Sequence, residues 1–207
     1  MTFLKISLVL CIFGLSACGG SSTTDGAVET HELSLFALND LYSEIETITA
    51  DLESTPTSSV PTSGIASYNG PATLLEFSRV DAVFAAVGNA ELVVDFTQES
   101  ISGKADNFYQ LSDEVVDALN QGSNISDELS MTNATAIAGE LSFNPANDAV
   151  IGSVTKTSGE TETYDLSTRV VEFFGPNAEL VEVINADEAW ANGRSTTGAA
   201  LFVSAVR

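Results

Sequence analysis

The residues with the clearest chemistry sit near the start of the chain. Leu15-Ser16-Ala17-Cys18 is followed by Gly19 and Gly20, and is preceded by Lys5 and an apolar run from Ile6 to Leu15. That run has too few residues to span a bilayer as a helix, and the charge before it fits the n-region of an export signal. Small residues at 16 and 17 suit a signal peptidase. The pattern therefore predicts cleavage after Ala17 and acylation of the Cys18 thiol, with residues 1–17 as a lipoprotein signal peptide. The competing reading is an ordinary secretory leader and a free Cys18. The cysteine's place at the cleavage point favours acylation, as does the absence of any other cysteine after it. Each buried acyl methylene contributes about 0.8 kcal/mol, so several chains would hold the protein on a membrane almost permanently.

Other chemistry-bearing residues form no convincing constellation. His31 is the only histidine, far in sequence from the second half of the chain, so a Ser/His/Asp arrangement has no natural base there. Asp187 and Glu188 are neighbours among 29 acids, a pairing expected by chance rather than an acid/base pair. Asn185, Asp187, Glu188 and Asn192, with Gly193 behind them, could ligate calcium, but their spacing matches neither an EF-hand nor the Gly/Asp nonapeptide repeats, and a solvated hairpin tip is expected. Trp190 in the same stretch either anchors a partner or folds back over the domain. The Gly175-Pro176 pair lacks the lysine and helix of a phosphate loop and reads as a turn. The expectation is a non-enzyme with no cofactor and no metal.

Charge bounds the partners. Seven basic residues stand against 29 acidic ones, a net −22; losing Lys5 with the signal takes −22 to −23. Such a surface repels nucleic acid and anionic head groups, which excludes both. The field could attract a basic partner or cations, or could serve only to keep a monomer soluble. The acids are scattered, which favours the second. No internal disulfide is available, so the domain must fold on its core alone.

The elements follow from the periodicities. Residues 18–29 form a flexible polar tether. From 30 to 54 a helix is expected: Leu38, Leu41, Ile45, Ile48 and Leu52 follow a heptad spacing over two heptads, too short for a stable coiled coil and better suited to docking on the domain. Residues 55–63, with Pro56 and Pro61, make a linker. From Gly64 to Arg207 the period becomes two. Ala66, Tyr68, Gly70, Ala72 and Leu74 share a face; so do Ala90, Leu92, Val94 and Phe96; Ile137, Gly139, Leu141 and Phe143; Val150, Gly152 and Val154; and Ala199, Leu201, Val203 and Ala205. Gly88-Asn89, Asn144–Asp148, Ser158-Gly159 and Asn192-Gly193 read as turns, and Pro71 predicts a bulge. Ser112 is expected to cap a short helix over 111–121 with Val115, Val116 and Leu119 inward. The fold class is all-β, an antiparallel up-and-down barrel of about eight strands preceded by a short N-terminal helix. A two-sheet sandwich is the alternative. Small residues around Tyr68 are what a narrow barrel interior requires.

GIASYNG (Gly64 to Gly70), GNAELVVDF (Gly88 to Phe96), SISG (Ser100 to Gly103), FFGPNAEL (Phe173 to Leu180) and the closing Gly198-to-Arg207 strand occur in that order. Together they resemble the β-barrel domain of transferrin-binding protein B and its relatives, surface lipoproteins of Gram-negative bacteria. The similarity covers roughly the last two-thirds of the chain. It implies a lipid-anchored, eight-stranded barrel in the outer membrane, exposed to the cell surface, presenting loops to a ligand; in relatives that ligand is a host protein such as transferrin, lactoferrin, haemoglobin or a complement regulator. There is room here for one barrel, and Glu182-Val183 replaces the family's Gly-Gly pair. No binding residue carries over. The expected function is binding of a protein or small solute, in iron or haem uptake or another acquisition; the alternatives are a structural envelope lipoprotein and a lipocalin-like carrier.

Overall fold

Burial alternates with period two at the start of the first strand. β1 (Ile65–Ser78) buries Ala66, Tyr68 and Gly70 while Ile65, Ser67 and Asn69 are exposed. The computed structural model describes residues 34–51, 59–122, 134–175, 177–193 and 195–207. Ala17, Cys18, the tether, His31 and Leu52 lie outside the described residues.

Nine further strands follow. They are β2 (Asp81–Asp95), β3 (Ser100–Gln110), β4 (Thr135–Ala136), β5 (Ala138–Asn144), β6 (Ala149–Thr155), β7 (Thr161–Leu166), β8 (Thr168–Phe174), β9 (Leu180–Ala186) and β10 (Thr197–Val206). One antiparallel sheet joins them in the order β7-β6-β5-β3-β2-β1-β10-β9-β8, with the short β4 against β3. The sheet curls into a half-barrel, and β1 meets β10 from Asn69 opposite Val206 to Ser78 opposite Thr197. β7 and β8 are the two ends of the path, yet only Ser167 separates them in the chain. They are halves of one bent run: the first half pairs with β6 and the second with β9. Counted so, with β4 set aside, eight lengths of strand remain, as the alternation predicts.

The interior holds the residues whose spacing assigned them there. Tyr68, Leu74, Leu92, Phe108, Leu141, Val150, Leu201 and Val203 are among the side chains that fill it. Tyr68 reaches furthest. Its hydroxyl donates to Ala178 O at 2.7 Å, fastening the β8–β9 turn over one mouth. Gly70 is small for a different reason. A Cβ there would lie 2.0 Å from Ser204 O and 2.6 Å from Ala205 Cα, because β10 crosses close at that point.

Helices cover the outer face of β1–β3. In α1 (Leu35–Asp51) Leu38, Tyr42 and Ile45 are buried, and Leu38 and Tyr42 cluster with Ala85 and Val87 of β2 and with Tyr109. The Tyr42 hydroxyl donates to Ala72 O at 3.1 Å and shares a hydrogen bond with Thr73 Oγ1 at 2.6 Å. The helix thus docks on the side of the barrel rather than plugging an end. α2 (Asp113–Asn120) adds Val115 and Val116 to the same cluster. Asn120 finishes it, accepting from Ala82 N and donating to Ala82 O as a neighbouring strand would.

Three local expectations fail. Pro71 sits in unbroken register between Gly70 and Ala72, and the β1 irregularity falls at Glu76/Phe77 instead. The ladder to β10 simply passes over Gly70 and Pro71. Gly88-Asn89 is not a turn: β2 runs straight through it, with a shift against β3 between Val87 and Asn89. A Cβ at Gly88 would lie 2.8 Å from the Phe108 ring, so the glycine admits that ring at the bulge. Ser112 occupies the N-cap of α2 but makes no side-chain cap; its carbonyl accepts from the Val115 and Val116 amides.

Candidate binding site

Unequal strand lengths open a window in the barrel wall. β1 and β2 have 14 and 15 residues, whereas β5 and β6 have seven each. The β5–β6 hairpin therefore stops short between β3 and β8. Above its turn, β8 pairs only with β9, and the first residues of β3 pair only with β2, among the described residues. A cleft of about 640 Å³ lies between these edges, lined by Phe96 and Ile101 on one side and Val171 and Phe173 on the other. Phe96 and Phe173 meet across it in a tilted pair, centroids 5.6 Å apart. Asp95, Glu99 and Glu172 also line it, while Val60 to Thr62 crosses its rim.

Two contacts hold the floor of the window. The Arg169 guanidinium bonds to Asp148 in the β5–β6 turn at 2.7 Å. Asn185, fully buried on β9, donates through Nδ2 to Asp148 O at 3.0 Å and to Leu166 O at 3.1 Å. Where β7 and β8 lack a ladder to each other, these side chains bind the two flanks of the sheet. The sequence reading placed Asn185 in an exposed loop with Asp187 and Glu188. It is instead an interior residue donating to carbonyls, and among the described residues no group of carboxylates gathers to hold a metal. Asp187 caps α3 (Glu188–Ala191), accepting from Trp190 N, and Asn192 donates to Glu188 O. Trp190 folds back: its ring stacks on Phe77 at 4.5 Å, covering the Gly198 backbone.

A second cleft, about 460 Å³, opens at the far end beside β7, lined by Glu76, Tyr164, Glu162, Asp165 and Asp187 among others. Glu76 points inward from β1 and is already occupied. It accepts from Tyr164 Oη at 2.6 Å and from Lys156 Nζ at 2.8 Å. The Lys156 ammonium also lies 4.9 Å over the Phe84 ring. Burial, then the hydrogen bond to Glu76 and nearby carboxylates, push the Tyr164 phenol well above its ordinary range. It remains a neutral donor to Glu76, and the cluster braces the wall.

On the outer face, Glu172 of β8 stands directly opposite Glu182 of β9. Burial and then the Glu172 charge hold the Glu182 carboxyl above the usual carboxylate range, against a weak bond from Ser204 Oγ. A carboxyl whose folded pKa is raised favours folding when protonated, below its unfolded pKa. That contribution is lost as pH rises through the folded pKa. Glu182→Gln is therefore expected to stabilise the fold at neutral pH by about 0.5–1 kcal/mol. The gain should fade on acidification below the normal glutamate range, read by thermal melts across pH.

The window residues escaped the sequence reading because Phe96 reads as one more interior position. The signal available was length: the alternating runs around the Asn144–Asp148 turn are half as long as those of the first hairpin. No protein-family model matches the chain, and no curated protein matches it in sequence.

Proposed function

We propose that the chain is a non-enzymatic, lipid-anchored binding protein of the cell envelope, acylated at Cys18 after cleavage behind Ala17, whose barrel presents the window and its rim to a ligand. The observation that carries this reading is the window itself. Half-exposed Val171 and Phe173 meet the buried Phe96 and Ile101 at a gap in the wall where β8 has no ladder to β3 among the described residues, an apolar opening that a purely structural domain would cover. Interior positions are filled by Tyr68, Phe84, Phe108 and Leu141, which favours a ligand at the wall over one carried at the centre. The likeness to the transferrin-binding protein B barrel supports the same reading: an outer-membrane protein, exposed at the surface, taking part in the capture of a protein or solute that delivers iron, haem or another nutrient.

The test uses the full chain in detergent as bait against spent growth medium and host serum. A retained component that saturates and is released by excess bait supports the reading. Repeated absence of any saturable component, together with an envelope-integrity defect on deletion, would favour a structural role.

A further inference from the structure

We propose that the β1–β2 end of the barrel rests on the bilayer holding the acyl anchor, with Phe36 and Val80 in the lipid interface and the window facing away. This rests on the anchored reading of Cys18. Among the described residues, the two most exposed large apolar side chains both mark that end: Phe36 is 75% exposed and Val80 86%. Val80 sits at the tip between β1 and β2, whose last pair is Ser78 opposite Asp81. Phe36 lies in the first turn of α1, beside Leu35, which packs with Phe77 and Leu119 on the cluster containing Ala82. The tip is held in place. Arg79 N donates to Thr196 O, Trp190 Nε1 donates to Arg79 O at 3.4 Å, and the Trp190 ring stacks on Phe77. Such bracing keeps an apolar side chain in water at a fixed position, a cost that contact with lipid removes.

The path of the chain names the partner. Fifteen residues, 19–33, separate Cys18 from Ser34, and α1 begins directly after. At about 3.4 Å per residue they reach at most about 55 Å, so an anchored barrel never leaves the neighbourhood of the lipid. The millimolar effective concentration that such a link supplies makes two inserted side chains sufficient, where a free protein would need a large patch. α1 enters the fold at the same end as Val80. The opposite end lies up to about 45 Å away, the length of the 14 residues of β1, and docking there would draw the link almost taut. Charge selects the lipid. Exposed Asp81, Asp113, Glu114 and Asp117 stand at this end against Arg79, so the surface it meets is zwitterionic rather than anionic. The window, between the β2–β3 turn and β8, then opens away from the bilayer.

The experiment places the acylated full chain, purified from membranes, in phosphatidylcholine vesicles. With Cys18 acylated and Cys11 removed, Phe36→Cys, Val80→Cys and Ile65→Cys each supply a single thiol for a fluorescent label. Ile65, 65% exposed at the opposite end, controls for tethering alone. Nitroxide-bearing lipid should dim the labels at 36 and 80 by at least about twofold and leave the label at 65 unchanged. Val80→Asp in the labelled Phe36→Cys chain should abolish most of the dimming at 36 with an unchanged circular dichroism spectrum, and phosphatidylglycerol in the vesicles should weaken it. Equal dimming at all three positions, or none at any, would overturn docking by this end while the anchor stands. Dimming at 65 alone would overturn it in favour of the opposite end. A chain that carries no acyl group by mass spectrometry and does not float with vesicles would sink the docking and the anchored reading together.

Discussion

Replacing Glu76 by leucine is expected to lower stability by about 3 kcal/mol, a fall in Tm of about 6–12 °C for a domain of this size. The Lys156 and Glu76 side chains are only 16% and 18% exposed, and Lys156 would be left with its charge beside the Phe84 ring. Tyr164 would lose its acceptor as well. Desolvation, not the attraction itself, makes the single change costly. The double variant Glu76→Leu/Lys156→Met should therefore recover most of the loss, because no charge then remains in the wall. If the single and double variants melt together, the pair does not brace the barrel as described.

Gly70→Ala should cost about 3 kcal/mol or more, comparable to a large core deletion although it adds only a methyl group. The added carbon would lie 2.0 Å from Ser204 O, a backbone atom that no rotamer change can move away. Relief requires β10 to shift, and β10 is paired along both edges, to β1 and β9. Ser67→Ala, on the exposed face of the same strand, serves as the comparison and should change the melt little. Equal melts for the two variants would mean that β10 does not cross β1 as tightly as described.

Much of the barrel could be read from alternation alone. Every residue assigned to the shared faces around Tyr68, Leu92 and Leu201 is buried, and around Leu141 only Gly139 is half-exposed, because a one-residue slip would expose a whole face at once. Three things escaped. Gly88-Asn89 looks like a turn in isolation, and only the β3 stretch opposite it, from Asp106 to Tyr109, shows it as a strand position beside a bulge. Glu76 and Lys156 meet across 80 residues, a distance no local pattern spans. Asn185 sits beside acids in the sequence and reads as polar loop, whereas the strand carries it inward and its neighbour Asp187 outward to a helix cap. The window was hidden for the same reason: it is a vacancy between non-consecutive strands, set by how hairpin lengths compare after curling.

The pairing of β1 with β10 also sets when the domain can fold. Asn69 waits for Val206, and Ser78 for Thr197, so β1 stays half-partnered until β10 has emerged. Loop closure over such a separation is slow and leaves a greasy ribbon uncovered in the meantime. A nascent chain interrupted before Thr197 would carry two raw flanks, on β1 and β9, and so become a substrate for proteases and holdase chaperones.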